Sequence, residues 1–243
     1  MELPFTERTY EAPGYLVREG ATRLEQCSFI RSGYAFRQKL TVDGNRQIVG
    51  ICLPGDFVDL QHIFLDRADH SVQVLTRAQT ADVDRTALQR LAEHRPNLNK
   101  ALWIDTLIEA SIHREWILNV GRRDARQRIA NLLCEFALRM KQAGIDPEAG
   151  CELPMTQEQL GDAVGLTSVH VNRMLKTLEK DGLVQREKRH LTIFRLGEDA
   201  CARCIQRIVS ALRSRRAGGC VKAGASEFVL SGSSVHSFGQ RSL

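Results

Sequence analysis

Short runs of alternating apolar and polar residues, separated by turn residues, occupy the first third of the chain. Five such runs predict β-strands, within residues 14–20, 27–33, 34–42, 46–55 and 70–76. The dipeptide Asp43-Gly44 favours a hairpin with a type I′ turn, because both central positions of that turn need a positive φ. Short strands at regular spacing are typical of a β-barrel or jelly roll.

A short helix is predicted over residues 86–95, where Pro96 would end it.

From Asn97 onward the spacing of apolar residues becomes helical. The segment from Asn97 to Val120 contains no Gly or Pro, and its apolar residues form a broad face. Such a helix is too apolar for a solvated linker. One side could pack on the barrel and the other on a second copy of the chain, as in a coiled coil. A core helix in a monomer is the alternative, and we expect the dimeric arrangement.

A second long helix is predicted after Gly121, and it should end near Gly144. Four arginines crowd its start, where the helix dipole disfavours positive charge. They are Arg122, Arg123, Arg126 and Arg128. A carboxylate or a phosphate would explain them, and the sequence leaves open whether they contact a dimer partner, DNA or nothing. After Arg216 the chain is rich in Gly and Ser, so we expect disorder there.

Two short helices joined by a turn are predicted between residues 155 and 180. Thr156 and Gln159 match a capping box that would start the first helix, and Gly165 would end it in a left-handed conformation. Thr167 would cap the second helix. An apolar stripe on this helix would face inward, formed at i, i+3, i+4 and i+7 by Val171, Met174, Leu175 and Leu178.

The residues left on the outer side of the second helix suit contact with a DNA major groove. They are Ser168, Val169, Asn172, Arg173 and Lys176, with His170 at the edge. Arginine can bridge guanine O6 and N7, asparagine can pair with adenine or hold a phosphate, and valine can contact a thymine methyl group. A solvated helix face, or a helical module for protein interaction, is the alternative.

The segment that follows, residues 182–196, predicts a strand, a basic turn and a second strand. This is the pattern of a wing, whose cations would contact phosphates; they are Arg186, Lys188 and Arg189. Residues 166–195 hold seven Lys or Arg against three Asp or Glu. The whole-chain charge of +5 is less informative, because residues 201–243 carry seven of the bases and one acid.

Composition places the chain among ordinary globular proteins of one or two domains, with 243 residues, 43% hydrophobic and 26% charged. No apolar run suits a transmembrane helix and no secretory signal is present, so we expect a cytoplasmic protein without membrane contact. Seven scattered cysteines favour reduced thiols, and the lone Cys201-x-x-Cys204 lacks a second ligand pair for zinc. No His cluster, phosphate loop or nucleophile elbow indicates an enzyme or a metal site.

The order of barrel, long helix, arginine-rich helix and winged helix-turn-helix resembles the Crp/Fnr family of bacterial transcription regulators. The likeness covers about residues 10–200. The segment LTSVHVNRMLKTLEKDGLV is similar to the family's recognition helix and the entry to its wing, and Pro54–Phe57 is similar to a barrel signature. The resemblance implies a dimer through the long helix, a signal-sensing barrel, base contact by Arg173, and RNA polymerase as a partner. Val169 replaces a glutamate frequent in the family, so we expect a different half-site.

Other positions depart from the family members that bind cyclic AMP. Asp59-Leu60 stands where those members have Gly-Glu, and His70-Ser71-Val72 stands where they have Arg-Ser/Thr-Ala. Leucine cannot bind the ribose, aspartate would repel the phosphate, and histidine is mostly neutral at pH 7 and lacks the arginine fork. We therefore expect no cyclic nucleotide. The lack of clustered cysteines before Cys27 argues against an iron–sulfur cluster, and no spacing singles out a haem ligand.

These inferences predict an α+β protein with a β-roll or jelly-roll barrel over residues 1–96, a dimerisation helix over 97–121, a winged helix-turn-helix over 122–200, and a basic tail over 201–243. We expect a homodimeric transcription regulator, not an enzyme, that binds a pseudo-palindromic double-stranded operator. Its effector stays unknown, and no resident cofactor or metal is expected. The alternative is a barrel that binds a ligand or metal without a DNA role.

Overall fold

The computed structural model describes residues 3–22, 24–144, 151–187 and 190–193. Antiparallel sheets form an N-terminal barrel, a long helix packs against it, and a helix-turn-helix with a small sheet follows. The predicted α+β architecture is therefore confirmed. The basic tail and the Cys201-x-x-Cys204 motif lie outside the described residues.

The barrel consists of two antiparallel sheets, with strand orders β1-β7-β3 and β2-β6-β4-β5. The strands are β1 Phe5–Tyr10, β2 Tyr15–Val17, β3 Gln26–Ser32, β4 Ala35–Leu40, β5 Arg46–Cys52, β6 Ser71–Val74 and β7 Ala78–Asp84. A short 3₁₀ helix, Leu60–Ile63, lies between β5 and β6. Each of the five predicted segments contains one of these strands or most of one. β1 and β7 were not predicted, because β1 is an edge strand of mostly exposed polar residues and the buried side chains of β7 are small.

The predicted hairpin joins β4 to β5, but its turn differs from the type I′ expectation. Strand pairing ends at Leu40 and Arg46, which leaves a five-residue loop. The Gly44 amide donates a 2.9 Å hydrogen bond to the Thr41 carbonyl, so Val42 and Asp43 occupy the central positions. Gly44 follows them with φ +80°, and the glycine therefore serves the exit from the turn.

Helix α1 spans Arg85–His94 and α2 spans Pro96–Arg122, as the sequence predicted within one or two residues. Asp84 caps α1 by accepting a hydrogen bond from the Ala87 amide, and Pro96 occupies the first turn of α2. Within the described residues, no helix has the length and apolarity that crossing a membrane requires.

Helix α3 spans Ala125–Gln142 and begins with a complete capping box between Asp124 and Gln127. Two further helices and three short strands follow α3 and complete the C-terminal unit. They are β8 Cys151–Glu152, α4 Gln157–Val164, α5 Ser168–Lys180, β9 Val184–Glu187 and β10 His190–Ile193. The three short strands form an antiparallel sheet in the order β8-β10-β9. α4 and α5 pack on each other and on α3, which supports the two-helix unit.

The arginine-rich start of α3 is satisfied largely by protein partners. Arg123 lies 3.0 Å from the Glu115 carboxylate of α2, and Arg126 lies 2.5 Å from the Asp181 carboxylate at the end of α5. Arg128 donates to the Val164 carbonyl at the end of α4. The expected carboxylate partners therefore exist for two of these arginines, and the cluster ties α2, α4 and α5 to α3. Arg122 is exposed.

One continuous apolar core extends from the barrel into the helix-turn-helix. Buried side chains of β4 and β5, such as Phe36 and Ile48, belong to the same cluster as Phe136 of α3 and Leu160 and Val164 of α4. A second cluster fills the barrel interior between its sheets. The barrel and the C-terminal unit are therefore held together by burial of apolar surface.

A buried network of charged groups lies within this shared core. Arg139 of α3 forms an ion pair with Asp56, lies 3.5 Å from Glu135, and donates to the Ile51 carbonyl at 2.8 Å. The Trp116 indole donates to the other Glu135 oxygen at 2.7 Å. Burial raises the pKa of Glu135, although Arg139 opposes this effect. Arg139 is thus the cation shared by two buried carboxylates.

The cysteines depart in part from the expectation of reduced thiols. Cys134 is disulfide-bonded, so that expectation is wrong at this position. Cys27 and Cys52 are free and buried. Burial raises the pKa of Cys52 to about 12, which keeps this thiol protonated and unreactive at neutral pH.

Replacing Arg139 with methionine should lower the free energy of unfolding by about 3–5 kcal/mol, because two buried carboxylates lose their cation. Urea denaturation followed by circular dichroism measures the change. Arg77→Ala is the control, because Arg77 pairs with Glu11 on an exposed surface where ion pairs contribute about 0–1 kcal/mol. Equal effects of the two substitutions would contradict the importance of the buried network.

Candidate nucleic-acid interface

Helix α4 begins and ends where its capping residues require. The Thr156 hydroxyl accepts the Gln159 amide at 3.1 Å, and the Gln159 side chain accepts the Thr156 amide at 2.8 Å. Gly165 ends the helix with φ 66° and ψ 44°, the left-handed conformation expected of a C-terminal glycine. The capping box and the helix stop predicted from sequence are confirmed.

The turn between α4 and α5 depends on a glycine that sequence reasoning missed. The Leu166 amide donates to the Gly161 carbonyl at 3.0 Å, and a Cβ on Gly161 would lie 2.3 Å from the Leu166 carbonyl oxygen. Only a residue without a side chain permits this approach of backbone to backbone. A glycine inside an otherwise good helix was the available clue, since glycine is unfavourable there unless packing requires it.

Helix α5 is oriented by its cap and its apolar stripe. The Thr167 hydroxyl accepts the His170 amide at 3.3 Å, as predicted. Val171, Leu175 and Leu178 are buried in the shared core, and Met174 packs against it half-buried. Because this side faces inward, the opposite side of α5 faces solvent.

The outward side of α5 carries the residues proposed for DNA contact. Ser168, Val169, Arg173 and Lys176 are exposed, and His170 and Asn172 are half-buried at the edges. Val169 keeps 79% of its surface exposed, which is unusual for a large apolar residue. The helix therefore presents a short polar and cationic row, with one bare apolar side chain near its N-terminus.

The predicted wing corresponds to the antiparallel pair β9 and β10, in which Arg186 pairs with Leu191. Arg186 belongs to β9. Lys188 and Arg189, in the connection between the two strands, lie outside the described residues. The wing follows α5 directly. The Leu183 amide donates a 3.0 Å hydrogen bond to the Leu178 carbonyl at the end of α5, and β9 begins at the next residue.

The barrel positions that would meet a cyclic nucleotide are used for internal contacts. Asp59 is buried and accepts the Ser28 amide at 2.8 Å, and burial raises the pKa of Asp59. Leu60 packs against an apolar cluster. His70 lies 2.7 Å from the Asp69 carboxylate, and burial lowers the pKa of His70. These residues offer no fixed cation for a phosphate.

A small cavity between the barrel and α2 is lined by charged groups that already have partners. The buried Arg37 guanidinium lies 2.6 Å from the Glu109 carboxylate of α2 and donates to the Phe57 carbonyl at 3.0 Å. His113 and Arg139 line the same cavity. Sequence reasoning missed the Arg37–Glu109 pair, because nothing in the local pattern links β4 to the middle of α2. In the described part of the chain, no group of three or more His, Cys, Asp or Glu could hold a metal ion.

Comparison with known proteins agrees with this geometry. The family model for the cyclic nucleotide-binding domain matches residues 7–95, and that for the Crp-like helix-turn-helix domain matches residues 127–197. The transcriptional activator protein FnrL of Cereibacter sphaeroides is 30% identical over 190 residues, which cover 76% of this chain and 75% of FnrL. The chain belongs to the Crp/Fnr family of transcription regulators.

Two further similar proteins agree with this assignment along most of the chain. A probable transcriptional activator of Rhizobium leguminosarum bv. viciae is 30% identical over 205 residues, which cover 84% of this chain and 81% of that protein. The solved structure of FixK2 from Bradyrhizobium japonicum superposes with a TM-score of 0.72 at 26% identity, covering 84% of this chain and 97% of FixK2. This protein is a DNA-binding transcription regulator of the Crp/Fnr type.

Replacing Gly161 with alanine should lower the free energy of unfolding by about 1–3 kcal/mol, because the added methyl group must displace backbone. Urea denaturation measures the loss. The control is Gly121→Ala, where a Cβ would meet no atom of the described residues within 4 Å apart from the backbone of its own helix. That substitution should be neutral or stabilising, since alanine favours helix by up to about 1 kcal/mol. Equal stability of the two variants would refute the steric role of Gly161.

Proposed function

We propose that this regulator binds a pseudo-palindromic operator as a homodimer, with α5 of each copy in the major groove. The observation that carries the proposal is the outward face of α5, which exposes Arg173 and Val169 on a helix capped and oriented by its neighbours. A major groove about 12 Å wide admits one such helix. Two of them would meet half-sites about one helical turn apart.

Each proposed contact follows from the chemistry of the side chain. Arg173 would donate two hydrogen bonds to guanine O6 and N7, and Val169 would contact a thymine methyl group. The polar residues beside them would complete the base contacts, namely Ser168, His170 and Asn172. The remaining cations would hold phosphates and fix the register, namely Lys176, Arg186, Lys188 and Arg189.

The case for a dimer rests on α2. Leu107 is 60% exposed and Ile117 is 73% exposed, and both are large apolar side chains on a helix whose other side is packed. Trp103 is also exposed and lies two heptads before Ile117. Apolar residues at this repeat form the seam of a two-helix coiled coil, so a second copy is the partner that would cover them.

The effector of the proposed regulator differs from a cyclic nucleotide. Asp59 and Leu60 make contacts within the protein, and the buried cation Arg37 is already paired with Glu109. A phosphodiester entering here would have to displace that carboxylate. By family resemblance we propose that the protein acts in the cytoplasm and contacts RNA polymerase at its target promoters.

Arg173→Ala should remove the operator footprint and leave weak binding to random duplexes, because a bidentate arginine–guanine contact contributes about 1–3 kcal/mol of discrimination at each half-site. Selection from a random duplex pool followed by footprinting measures this change. Lys188→Ala is the comparison, and it should weaken binding to all sequences and flatten the salt dependence. An Arg173→Ala protein that protects the same operator with unchanged affinity would show that this residue does not contact bases.

Leu107→Glu should convert the dimer into a monomer, because two carboxylates would face each other in the α2 seam. Sedimentation velocity measures the change, and operator affinity should fall at least about tenfold, since one half-site alone supplies fewer contacts. Leu65→Glu is the control, because Leu65 is exposed on the barrel, outside α2. A Leu107→Glu protein that sediments like the wild type would place the dimer interface elsewhere.

A further inference from the structure

The start of β5 contacts the first helix of the helix-turn-helix within the same chain. Arg46 Nε lies 2.6 Å from Asp162 Oδ2, and its Nη2 lies 3.8 Å from Glu158 Oε1. The neighbouring Gln47 side chain donates to the Ala163 carbonyl at 3.4 Å. These polar contacts bridge the barrel and α4, which are more than a hundred residues apart in sequence.

This ion pair is better shielded than an ordinary surface pair. The Arg46 and Asp162 side chains are 26% and 23% exposed. Ile48, Leu160 and Val164 are buried nearby in the shared core, and the Arg46 guanidinium lies 5.8 Å from the Phe36 ring centroid. Reduced solvation strengthens the attraction between the two charges and makes their separation unfavourable.

The other end of β5 is tied to the C-terminal unit as well. The Ile51 carbonyl accepts a hydrogen bond from Arg139 of α3, and Arg139 also binds Asp56 in the turn after β5. The strand therefore meets α4 at its first residues and α3 at its last ones. Contacts at two separated points restrict rotation of one body on the other, whereas a single contact would act as a pivot.

Movement of α4 is transmitted directly to the recognition helix. The backbone of Gly161 packs directly against the backbone of Leu166 in the turn. Helix α5 begins two residues later, at Ser168, so a shift of α4 would shift α5 as well. In a dimer, the distance between the two α5 helices then depends on how each α4 sits on its own barrel. That distance decides which spacing of half-sites both helices can occupy together.

We propose that the Arg46–Asp162 pair is a latch that fixes the helix-turn-helix on its barrel and thereby sets the half-site spacing that the dimer accepts. Both are positioning residues and act without touching a base. The inference rests on the proposed function, since it requires two recognition helices on one operator. It assigns operator selectivity to residues outside α5 and the wing.

The test uses full-length Arg46→Asp, Asp162→Arg and the double variant that restores the pair with reversed polarity. Each is titrated against the selected wild-type operator and against versions with the spacer shortened or lengthened by one base pair. We expect the wild type to prefer its own spacing by at least about tenfold, a cost in the range of one base mismatch. Each single variant should show less than about a threefold preference, and the double variant should recover most of the original preference.

Two further proteins guard against trivial effects. Arg46→Gln removes the charge but keeps a polar side chain, so it should remain folded and show an intermediate preference. Arg77→Asp breaks the pair with Glu11 on the exposed surface of the barrel domain and should behave as the wild type. Hydrogen exchange gives a readout independent of DNA, because an open latch should speed exchange of the amides of α4 and the start of β5.

Three results would overturn the proposal in distinguishable ways. If the wild type discriminates spacing and the charge-reversal variants do so equally, the latch is wrong and the operator proposal stands. A wild-type protein that binds operators of all spacings with equal affinity would contradict both the latch and the proposal of two recognition helices on one operator. If the double variant fails to recover and Arg46→Gln lowers the salt slope, Arg46 contacts a phosphate and does not act through Asp162.

Discussion

A single apolar core that passes from the barrel into the helix-turn-helix is the constraint on which the rest of the structure depends. Ile48 of the barrel and Phe136 of α3 lie in the same buried cluster as Leu160 of α4. Burial of this surface joins the barrel to the C-terminal unit. Charged groups buried in such a core need oppositely charged or hydrogen-bonding partners, because an unpaired buried charge is strongly destabilising. Arg139 satisfies this requirement by binding Asp56 and Glu135 together.

The need of buried charges for partners separates the arginines of this chain into two groups with different roles. Those at the domain junction, such as Arg123 and Arg139, are half-buried or buried and bound by carboxylates, so their charge serves architecture. Arg173 stands on an exposed face whose position is fixed from below by the core. The basic character of the sequence is therefore a poor guide to DNA contact until the neutralised charges are separated from the available ones.

Local patterns predicted much of the fold, because caps, stripes and turns are encoded within a few residues. Thr156, Gly165 and Thr167 hold the roles expected of them, and the inward stripe of α5 is buried as its spacing required. Contacts between distant segments could not be predicted in this way. The pairing of Arg46 with Asp162 and the close backbone approach at Gly161 arise only when the fold brings separate elements together. The exact turn of the β4–β5 hairpin also escaped, since strand register, not the Asp-Gly dipeptide, set the loop length.

The pairing of buried Arg37 with Glu109 also constrains how this lineage can change. Loss of Glu109 first would leave the buried guanidinium without its ion-pair partner, with the Phe57 carbonyl as a remaining acceptor, and such an intermediate would be destabilised. Loss of Arg37 first leaves a carboxylate that still reaches water, which a descendant can tolerate. Removing Arg37 before Glu109 is therefore the less destabilising order in which this cavity could be emptied for a new effector. The history of mutation, as well as present chemistry, then decides which small molecules the barrel could come to recognise.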